Sequence, residues 1–219
     1  AAADPEPRER LVDRYLVAAL DAGIRPLLVV TKTDLADPST FLKHFESLEL
    51  TVFTSAQGEM PVDDIGAALI GHSTVFVGHS GVGKSTLVNA LVPSAKRATG
   101  HVNEVTGRGR HTSSSTVSLR YIASTGGPGT PSDLPAGGGW VIDTPGVRSF
   151  GLGHVDPQNI LAAFTELAAI AEGCPRGCTH RTDAEDCALN EAAAAGELTD
   201  AGLARRESLQ RLLATFSDK

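Results

Sequence analysis

The nine residues GHSGVGKST at positions 78–86 combine glycines, a lysine and hydroxyl side chains at a fixed spacing. They fit the pattern G-x-x-x-x-G-K-[ST], in which backbone N–H groups surround the phosphates of a nucleotide. The glycines allow close approach of the backbone, and the N-terminus of a following helix adds positive charge. We therefore predict that Lys84 binds the outer phosphates and takes part in catalysis, and that Ser85 binds Mg²⁺. The predicted phosphate-binding residues are Gly78, His79, Ser80, Gly81, Val82, Gly83, Lys84, Ser85 and Thr86.

The residues on either side of this loop predict the strand and the helix that position it. Thr74–Val77 is a short apolar, β-branched run typical of a buried strand, and residues 86–91 have the pattern of a helix start. An ordinary glycine turn between a strand and a helix is the alternative interpretation. The full spacing, with both flanking elements present, favours a phosphate loop.

A second motif, DTPG at residues 143–146, follows another predicted strand, Trp140–Ile142. It fits D-x-x-G, in which the aspartate binds Mg²⁺ through water and the glycine N–H senses the γ-phosphate. Ligands of open α/β sheets bind beyond the carboxyl ends of strands, and the motif lies at such an end. We therefore predict that Asp143 and Gly146 belong to the nucleotide site.

Val147 follows this motif, where many GTPases carry a glutamine that orients the attacking water. A valine side chain cannot orient water, so another group or a partner must do so. Residues 95–115 are mostly small, polar or glycine, and we predict a mobile switch loop there. In this loop His111 is the candidate catalytic residue, and Thr112, or alternatively Ser113, is the candidate that closes over Mg²⁺. The alternative interpretation is a solvated surface loop without nucleotide contact.

The tetrapeptide TKTD at residues 31–34 directly follows a buried-strand pattern at residues 24–30. Guanine-nucleotide proteins carry Asn-Lys-x-Asp at a strand end, and the aspartate accepts hydrogen bonds from the guanine N1–H and amine. We predict that Thr31, Lys32 and Asp34 form the base site. Asp34 would select guanine, because adenine would leave its carboxylate unpaired. Thr31 keeps a hydroxyl group but lacks the amide donor of the usual asparagine.

The next predicted strand, residues 50–54, is followed by SAQG at residues 55–58. Ser55 and Ala56 resemble the Ser-Ala loop whose backbone amide contacts the guanine carbonyl. The dipeptide is common, and its position soon after TKTD is what supports the assignment. A polar connection between strand and helix is the alternative interpretation of TKTD.

All three cysteines lie close to one histidine in the C-terminal part of the chain. Cys174, Cys178, His180 and Cys187 match a Cys₃His zinc site, which is closed and therefore structural. An odd number of clustered cysteines fits metal binding better than a disulfide framework. We predict one Zn²⁺ that stabilises a segment with little core of its own. Free cysteines beside a surface histidine are the alternative.

The nucleotide motifs occur in an unusual order, because TKTD and SAQG precede the phosphate loop instead of following D-x-x-G. The cyclic order is kept, as expected for a circular permutation. We predict an α/β fold: a circularly permuted P-loop GTPase sheet with helices on both faces over residues 1–153, and a small, mostly helical zinc-binding domain over residues 154–219. Residues 1–7 are expected to form a loose lead-in. Further helices are predicted at residues 8–22, 37–50, 61–70, 157–171, 191–196 and 208–216, and a strand at residues 116–122 that pairs with residues 140–142.

The composition is that of a globular protein, with 41% apolar and 21% charged residues among 219. A net charge of −7 argues against nucleic-acid binding over the whole surface, although residues 96–120 are locally basic. No apolar run approaches the ~20 residues that span a bilayer. The first residues lack a secretory-signal pattern, so we expect a cytoplasmic protein without membrane contact.

The motif order, followed by the cysteine–histidine cluster, resembles the RsgA (YjeQ) family of circularly permuted GTPases over nearly the whole chain. The resemblance implies GTP hydrolysis stimulated by the small ribosomal subunit and a role in late maturation of that subunit. It also implies Mg²⁺ with GTP or GDP, a structural Zn²⁺ and contact with ribosomal RNA. The family carries a hydrophobic residue in place of the glutamine, which Val147 matches, and a proposed switch-loop histidine, which His111 matches.

Members of that family usually begin with an OB-fold domain, whereas this sequence begins at the lead-in to its first helix. We expect that the chain is a fragment, or that it cannot bind the subunit in the usual way. We expect a monomeric GTPase. The alternatives are a permuted GTPase with another ribosomal or RNA client, a zinc-dependent RNA-binding module with a weakly active nucleotide site, and an adenine-specific P-loop ATPase or kinase, which Asp34 disfavours.

Overall fold

The computed structural model describes residues 1–48, 50–96, 116–122, 137–146, 152 and 155–216. Helices and strands are mixed along the chain, which confirms the predicted α/β class. In chain order the elements are α1 (Glu9–Asp21), β1 (Leu27–Thr31), α2 (Ser39–Lys43), β2 (Thr51–Ser55), α3 (Val62–Leu69), β3 (Ser73–Phe76), α4 (Lys84–Leu91), a 3-10 turn (Pro93–Ala95), β4 (Val117–Ile122), β5 (Gly138–Asp143), α5 (Pro157–Ala162), α6 (Thr165–Ala171), α7 (Ala188–Ala194) and α8 (Asp200–Ala214).

The chain divides into two compact units, each built from separate stretches of sequence. The first unit draws on residues 1–7 and 29–38 and on the described part of 52–149, and the second on residues 8–28, the described part of 39–51 and the described part of 150–219. The two units therefore interleave along the chain. The functional division at residues 153 and 154 stays a prediction.

In the first unit, β3, β5 and β4 form a three-stranded sheet with β5 in the middle. β3 runs parallel to β5, and the last residues of the two strands, Phe76 and Asp143, are paired. The strand ends that precede the phosphate loop and the D-x-x-G motif therefore lie side by side. β4 pairs antiparallel with β5, as the sequence predicts.

Two helices bury apolar side chains against this sheet. α3 supplies Ile65 and Leu69, α4 supplies Leu87, Val88 and Leu91, and the sheet supplies Tyr121 and Val141. The apolar positions of both helices recur at the three- and four-residue spacing of an amphipathic helix. β1 and β2 form a separate two-stranded sheet, so that the described strands lie in two sheets rather than one.

The second unit has a helical core from α1, residues 41–48 and α5 to α8. The predicted helix over residues 37–50 is wrong beyond Lys43, where hydrogen bonds join residues three apart. One such bond runs from the Leu48 N–H to the Phe45 carbonyl. Phe45 and Leu48 are both buried in these turns, whose three-residue hydrogen bonds are tighter than those of an α-helix.

The predicted helix over residues 157–171 is two helices. It begins as expected, because Asp156 caps α5 by accepting a hydrogen bond from the Gln158 N–H at 2.9 Å. The helix ends after Ala162, where the Phe164 N–H bonds to the Leu161 carbonyl, and α6 begins at Thr165. Phe164 is buried in the core at this break. Among the described residues, no helix has the length and hydropathy needed to cross a membrane.

Candidate nucleotide site and metal centre

The phosphate loop joins β3 to α4, as its sequence predicts. Gly81 and Gly83 have φ values of 85° and 93°, in the left-handed region that favours glycine. Gly83 also precedes the first turn of α4, so the free N–H groups of that turn face the loop. The loop therefore presents backbone donors and the positive end of a helix to one point.

Lys84 lies across this loop. Its Nζ donates hydrogen bonds to the carbonyl oxygens of Gly78, at 2.9 Å, and His79, at 3.1 Å. Burial lowers the pKa of Lys84, while the negative charge of Asp143 acts in the opposite direction. A partly desolvated ammonium group beside backbone donors can stabilise negative charge on phosphate.

The D-x-x-G motif lies directly beside the phosphate loop. Asp143 is fully buried at the end of β5. The hydroxyl of Thr144 donates to the carbonyl of Phe76 at 2.7 Å, which ties the motif to the end of β3. A Cβ atom on Gly146 would lie 2.8 Å from the Ser80 nitrogen, so only glycine fits this approach. The backbone at Gly146 and the phosphate loop therefore form one site.

Thr31 joins the predicted base loop to the phosphate loop. Its hydroxyl donates a hydrogen bond of 2.6 Å to the carbonyl of Val82. Its methyl carbon lies 3.6 Å from the position that a Cβ atom on Gly83 would occupy. The threonine that replaces the usual asparagine thus makes a direct bond to the phosphate loop.

Asp34 and the SAQG loop are also brought together. Asp34 Oδ1 accepts a hydrogen bond from the Gln57 N–H at 2.9 Å, and the Thr33 N–H donates to the Ser55 carbonyl at 3.2 Å. Ala56 and Glu59 exchange backbone hydrogen bonds, each 3.2 Å long. The predicted contact of the Ala56 N–H with a base carbonyl would have to replace one of these bonds.

The N-terminal residues take part in this site, which the sequence does not predict. The Ala2 N–H donates to the Thr31 carbonyl at 2.8 Å, and Ala2 is buried. Lys32 Nζ donates to the carbonyl of Asp4. The expectation of a loose lead-in is therefore wrong for these residues. No sequence signal could have found the contacts, because both acceptors are backbone carbonyls.

The second unit brings the four predicted metal ligands together. The ligand atoms of Cys174, Cys178, His180 and Cys187 lie within 4.8 Å of one another. His180 Nδ1 is 3.5 Å from the Sγ atom of Cys174, and the backbone N–H of Ala188 donates to that sulfur at 3.3 Å. Three sulfurs and one imidazole nitrogen at this separation fit a tetrahedral metal ion such as zinc.

The protonation of the cluster also fits a metal site. Burial is the main cause that raises the pKa of Cys178 to about 11, and the thiols of Cys187 and Cys174 add to the effect. Burial lowers the pKa of His180, which keeps the imidazole neutral. Neutral imidazole can bind a metal at once, whereas a crowded set of thiols becomes thiolate when a cation supplies the compensating charge.

A buried glutamine on α8 supports the loop that carries His180. Gln210 Nε2 donates to the His180 carbonyl at 3.3 Å and to Asn190 Oδ1 at 2.8 Å. Asn190 in turn donates to the Arg181 carbonyl at 2.9 Å. His180 has a φ of 54°, so these bonds hold a left-handed residue in place.

Other predicted residues lie outside the described part of the chain. These are the switch-loop candidates and the residue after D-x-x-G, namely His111, Thr112, Ser113 and Val147. Their roles stay predictions. The described residues of the predicted nucleotide motifs lie close together, and so do the four predicted metal ligands.

Comparisons with known proteins identify the family of this chain. A family model described as RsgA GTPase matches residues 1–153. The small ribosomal subunit biogenesis GTPase RsgA of Pseudomonas aeruginosa strain LESB58 is 37% identical over 98% of this chain and 60% of its own length. The RsgA of Marinobacter nauticus is 34% identical over 100% of this chain and 60% of its own. The chain therefore spans 60% of the length of these curated relatives.

Solved structures show the same fold. The crystal structure of YjeQ from Thermotoga maritima matches with a TM-score of 0.63 and 25% identity over 98% of this chain and 68% of that one. YloQ, described as a circularly permuted GTPase, matches with a TM-score of 0.60 and 23% identity over 99% of this chain and 66% of that one. The predicted permuted fold is thereby confirmed, and the chain belongs to the RsgA GTPase family.

Proposed function

We propose that this chain is a GTPase that hydrolyses GTP to GDP and phosphate. The observation that carries the proposal is the approach of Gly146 to Ser80, which unites D-x-x-G with the phosphate loop. Lys84 and the backbone donors of the loop would bind the β- and γ-phosphates. The ammonium charge and the N–H dipoles would stabilise the negative charge on the transferred phosphoryl group and on the leaving GDP.

Guanine recognition is assigned to Asp34. Its carboxylate would accept hydrogen bonds from N1–H and the exocyclic amine, while Lys32, Ser55 and Ala56 complete the base site. The bond between Asp34 and the Gln57 N–H holds the carboxylate at the SAQG loop, which supports this role. Adenine has no matching pair of donors, so it would leave the carboxylate unpaired.

Magnesium fits the same site. Ser85 is the second residue of α4, directly after Lys84, and the fully buried Asp143 ends β5. Hydroxyl and carboxylate oxygens are suitable ligands for Mg²⁺, which neutralises phosphate charge when bound. We assign Ser85, Asp143 and the switch residue Thr112 to this ion. His111 would orient the attacking water, because Val147 cannot.

The relatives named above suggest a client for this activity. Both are called small ribosomal subunit biogenesis GTPases. We propose that this chain acts in late maturation of that subunit, in the cytoplasm and as a monomer, with contact to ribosomal RNA. Residues 1–153 would hydrolyse GTP, and residues 154–219 would form a zinc-binding domain in which Cys174, Cys178, His180 and Cys187 hold one structural Zn²⁺.

The test is GTP hydrolysis by the purified chain with and without small ribosomal subunits, with ATP as competitor. Stimulation by the subunits and no effect of ATP would support both the activity and the client. GTP-specific turnover without stimulation would support the GTPase but contradict subunit activation of this chain. Competition by ATP as strong as by unlabelled GTP would contradict the assignment of Asp34. Binding of RNA without any turnover would favour the zinc-dependent RNA-binding module.

A further inference from the structure

The base-recognition tetrapeptide joins three other segments of the first unit. Thr31 bonds to Val82 in the phosphate loop, and Lys32 bonds to Asp4 in the N-terminal segment. Thr33 and Asp34 bond to Ser55 and Gln57, both in SAQG. Only the bond from Thr31 reaches the phosphate loop among these four. The geometry of this bond decides how the two halves of a nucleotide site are spaced.

The bond from Thr31 constrains a whole peptide unit. The Thr31 hydroxyl holds the Val82 carbonyl at 2.6 Å. In a planar trans peptide, the Val82 carbonyl and the Gly83 N–H point in opposite directions. Fixing the oxygen on the side of Thr31 therefore aims the Gly83 N–H away from Thr31. Gly83 is also held by α4, since its carbonyl accepts a hydrogen bond from the Leu87 N–H at 3.0 Å. The loop therefore keeps its own conformation, and the bond from Thr31 fixes its position relative to the end of β1.

Thr31 is itself held at its backbone. The Ala2 N–H donates to the Thr31 carbonyl at 2.8 Å, and Thr31 is the last residue of β1. The hydroxyl therefore extends from a fixed strand end rather than from a free loop. Three positions later, Asp34 is tied to Gln57. Only two residues therefore separate Thr31, which bonds to the phosphate loop, from Asp34, and both Thr31 and Asp34 are held by hydrogen bonds to other segments.

We propose that Thr31 is a positioning residue that sets the spacing between the base site and the phosphate loop through its bond to the Val82 carbonyl. This inference rests on the proposed binding of guanine nucleotides. Its consequence is specific: a ligand that occupies both sites gains affinity from the fixed spacing, because less order has to be created on binding. A ligand that occupies one site alone gains nothing from that spacing.

The test compares GDP with its two fragments, guanosine and pyrophosphate, by competition against a fluorescent GDP analogue. Thr31→Val removes the hydroxyl group and keeps the shape of the side chain. Loss of one hydrogen bond should weaken GDP binding by about 3- to 10-fold. The affinities for guanosine and for pyrophosphate should stay within about 2-fold of the unaltered chain, since neither spans both sites.

Two further variants make the comparison decisive. Thr31→Ser keeps the hydroxyl and should restore GDP affinity. Thr54→Val makes the same change at an exposed threonine on β2 and should leave all three affinities unchanged. Thermal unfolding of each variant shows whether the fold is retained.

Two results would overturn the role of Thr31. One is GDP affinity of Thr31→Val equal to that of the unaltered chain. The other is a loss of GDP affinity accompanied by an equal loss of affinity for guanosine or for pyrophosphate. That result would mean that the substitution damages one of the two sites itself rather than their spacing. If the unaltered chain bound ADP as tightly as GDP, the guanine assignment would fail. In that case the same measurements with ADP, adenosine and pyrophosphate, on Thr31→Val and on the unaltered chain, would still test whether Thr31 sets the spacing.

Discussion

Gly146 packs against the backbone of Ser80 so closely that a Cβ atom would lie 2.8 Å from the Ser80 nitrogen and 2.9 Å from its Cα. Real Cβ atoms essentially never come this close to other heavy atoms. The last residue of D-x-x-G can therefore lie this close to the phosphate loop only because it has no side chain. The glycine is required here by space rather than by its φ angle.

Gly146→Ala should separate these two segments. The backbone of Ser80 cannot move without moving the phosphate loop, and overpacking of this kind costs about 1–3 kcal/mol. We expect GTP affinity, measured by calorimetry, to fall by about 10-fold or more. Gly202→Ala, in α8, is the matched control, since its Cβ would make only ordinary contacts at 3.5 Å, with Glu166, Leu198 and Thr199. Equal affinities in the two variants would contradict a shared site at Gly146 and Ser80.

The sequence predicted where the nucleotide motifs lie in the fold, because each motif combines a residue type with a position at the end of a strand or the start of a helix. Gly83 and Lys84 illustrate this, since the phosphate loop needs a glycine with positive φ followed by a cation at the start of a helix. Such local requirements are visible in a linear sequence. The pairing of Phe76 with Asp143 then follows from two strands that end at the same edge.

Other features depend on contacts between distant segments, and the sequence could not show them. The partner of the Thr31 hydroxyl is a backbone carbonyl 51 positions away. The early end of α2 and the break at Phe164 follow from burial of side chains in the second core, which overrides local helix preference. The interleaving of the two units is a property of the packing alone.

Asp34→Asn should change base preference while leaving the loop intact. The asparagine oxygen can still accept the bond from the Gln57 N–H, so the SAQG loop should hold its position. The amide nitrogen of asparagine, however, is a hydrogen-bond donor, and it would face the N1–H or the amine of guanine, which are donors as well. Loss of charged hydrogen bonds of about 1.5–3 kcal/mol predicts about 10- to 100-fold weaker GDP binding. Xanthosine diphosphate, which carries a carbonyl in place of the amine, should bind better than GDP.

Competition between GDP and xanthosine diphosphate measures this change directly. Asp64→Asn provides the same substitution at an exposed carboxylate in the first turn of α3. It should preserve the preference for GDP. An unchanged preference in Asp34→Asn would show that the base is recognised by other residues.

The N-terminal segment gives a prediction of its own. Ala2→Pro removes the N–H that donates to the Thr31 carbonyl, and Lys32 is bonded to Asp4 in the same segment. We expect GDP affinity to fall by about 2- to 10-fold, the worth of one hydrogen bond. Pyrophosphate affinity should not change, because Lys84 and the phosphate loop make no use of that bond. Ala2→Ser retains the N–H and serves as the control. If the proline variant bound GDP as tightly as the unaltered chain, the N-terminal segment would make no contribution to base binding.

His180→Asn tests the metal centre with little disturbance of the backbone. His180 has a φ of 54°, and asparagine is among the few residues that adopt this region readily. The variant loses Nδ1, so the cluster keeps only its three sulfurs. We expect loss of the stoichiometric zinc measured by a colorimetric chelator, and a fall in Tm on the order of 10 °C.

His72→Asn changes an exposed histidine and should alter neither quantity. Addition of EDTA should lower the Tm of the unaltered chain toward that of His180→Asn and leave the variant itself unchanged. One zinc ion per chain and an unaltered Tm in His180→Asn would contradict the Cys₃His assignment, because three sulfurs would then suffice to hold the second unit together.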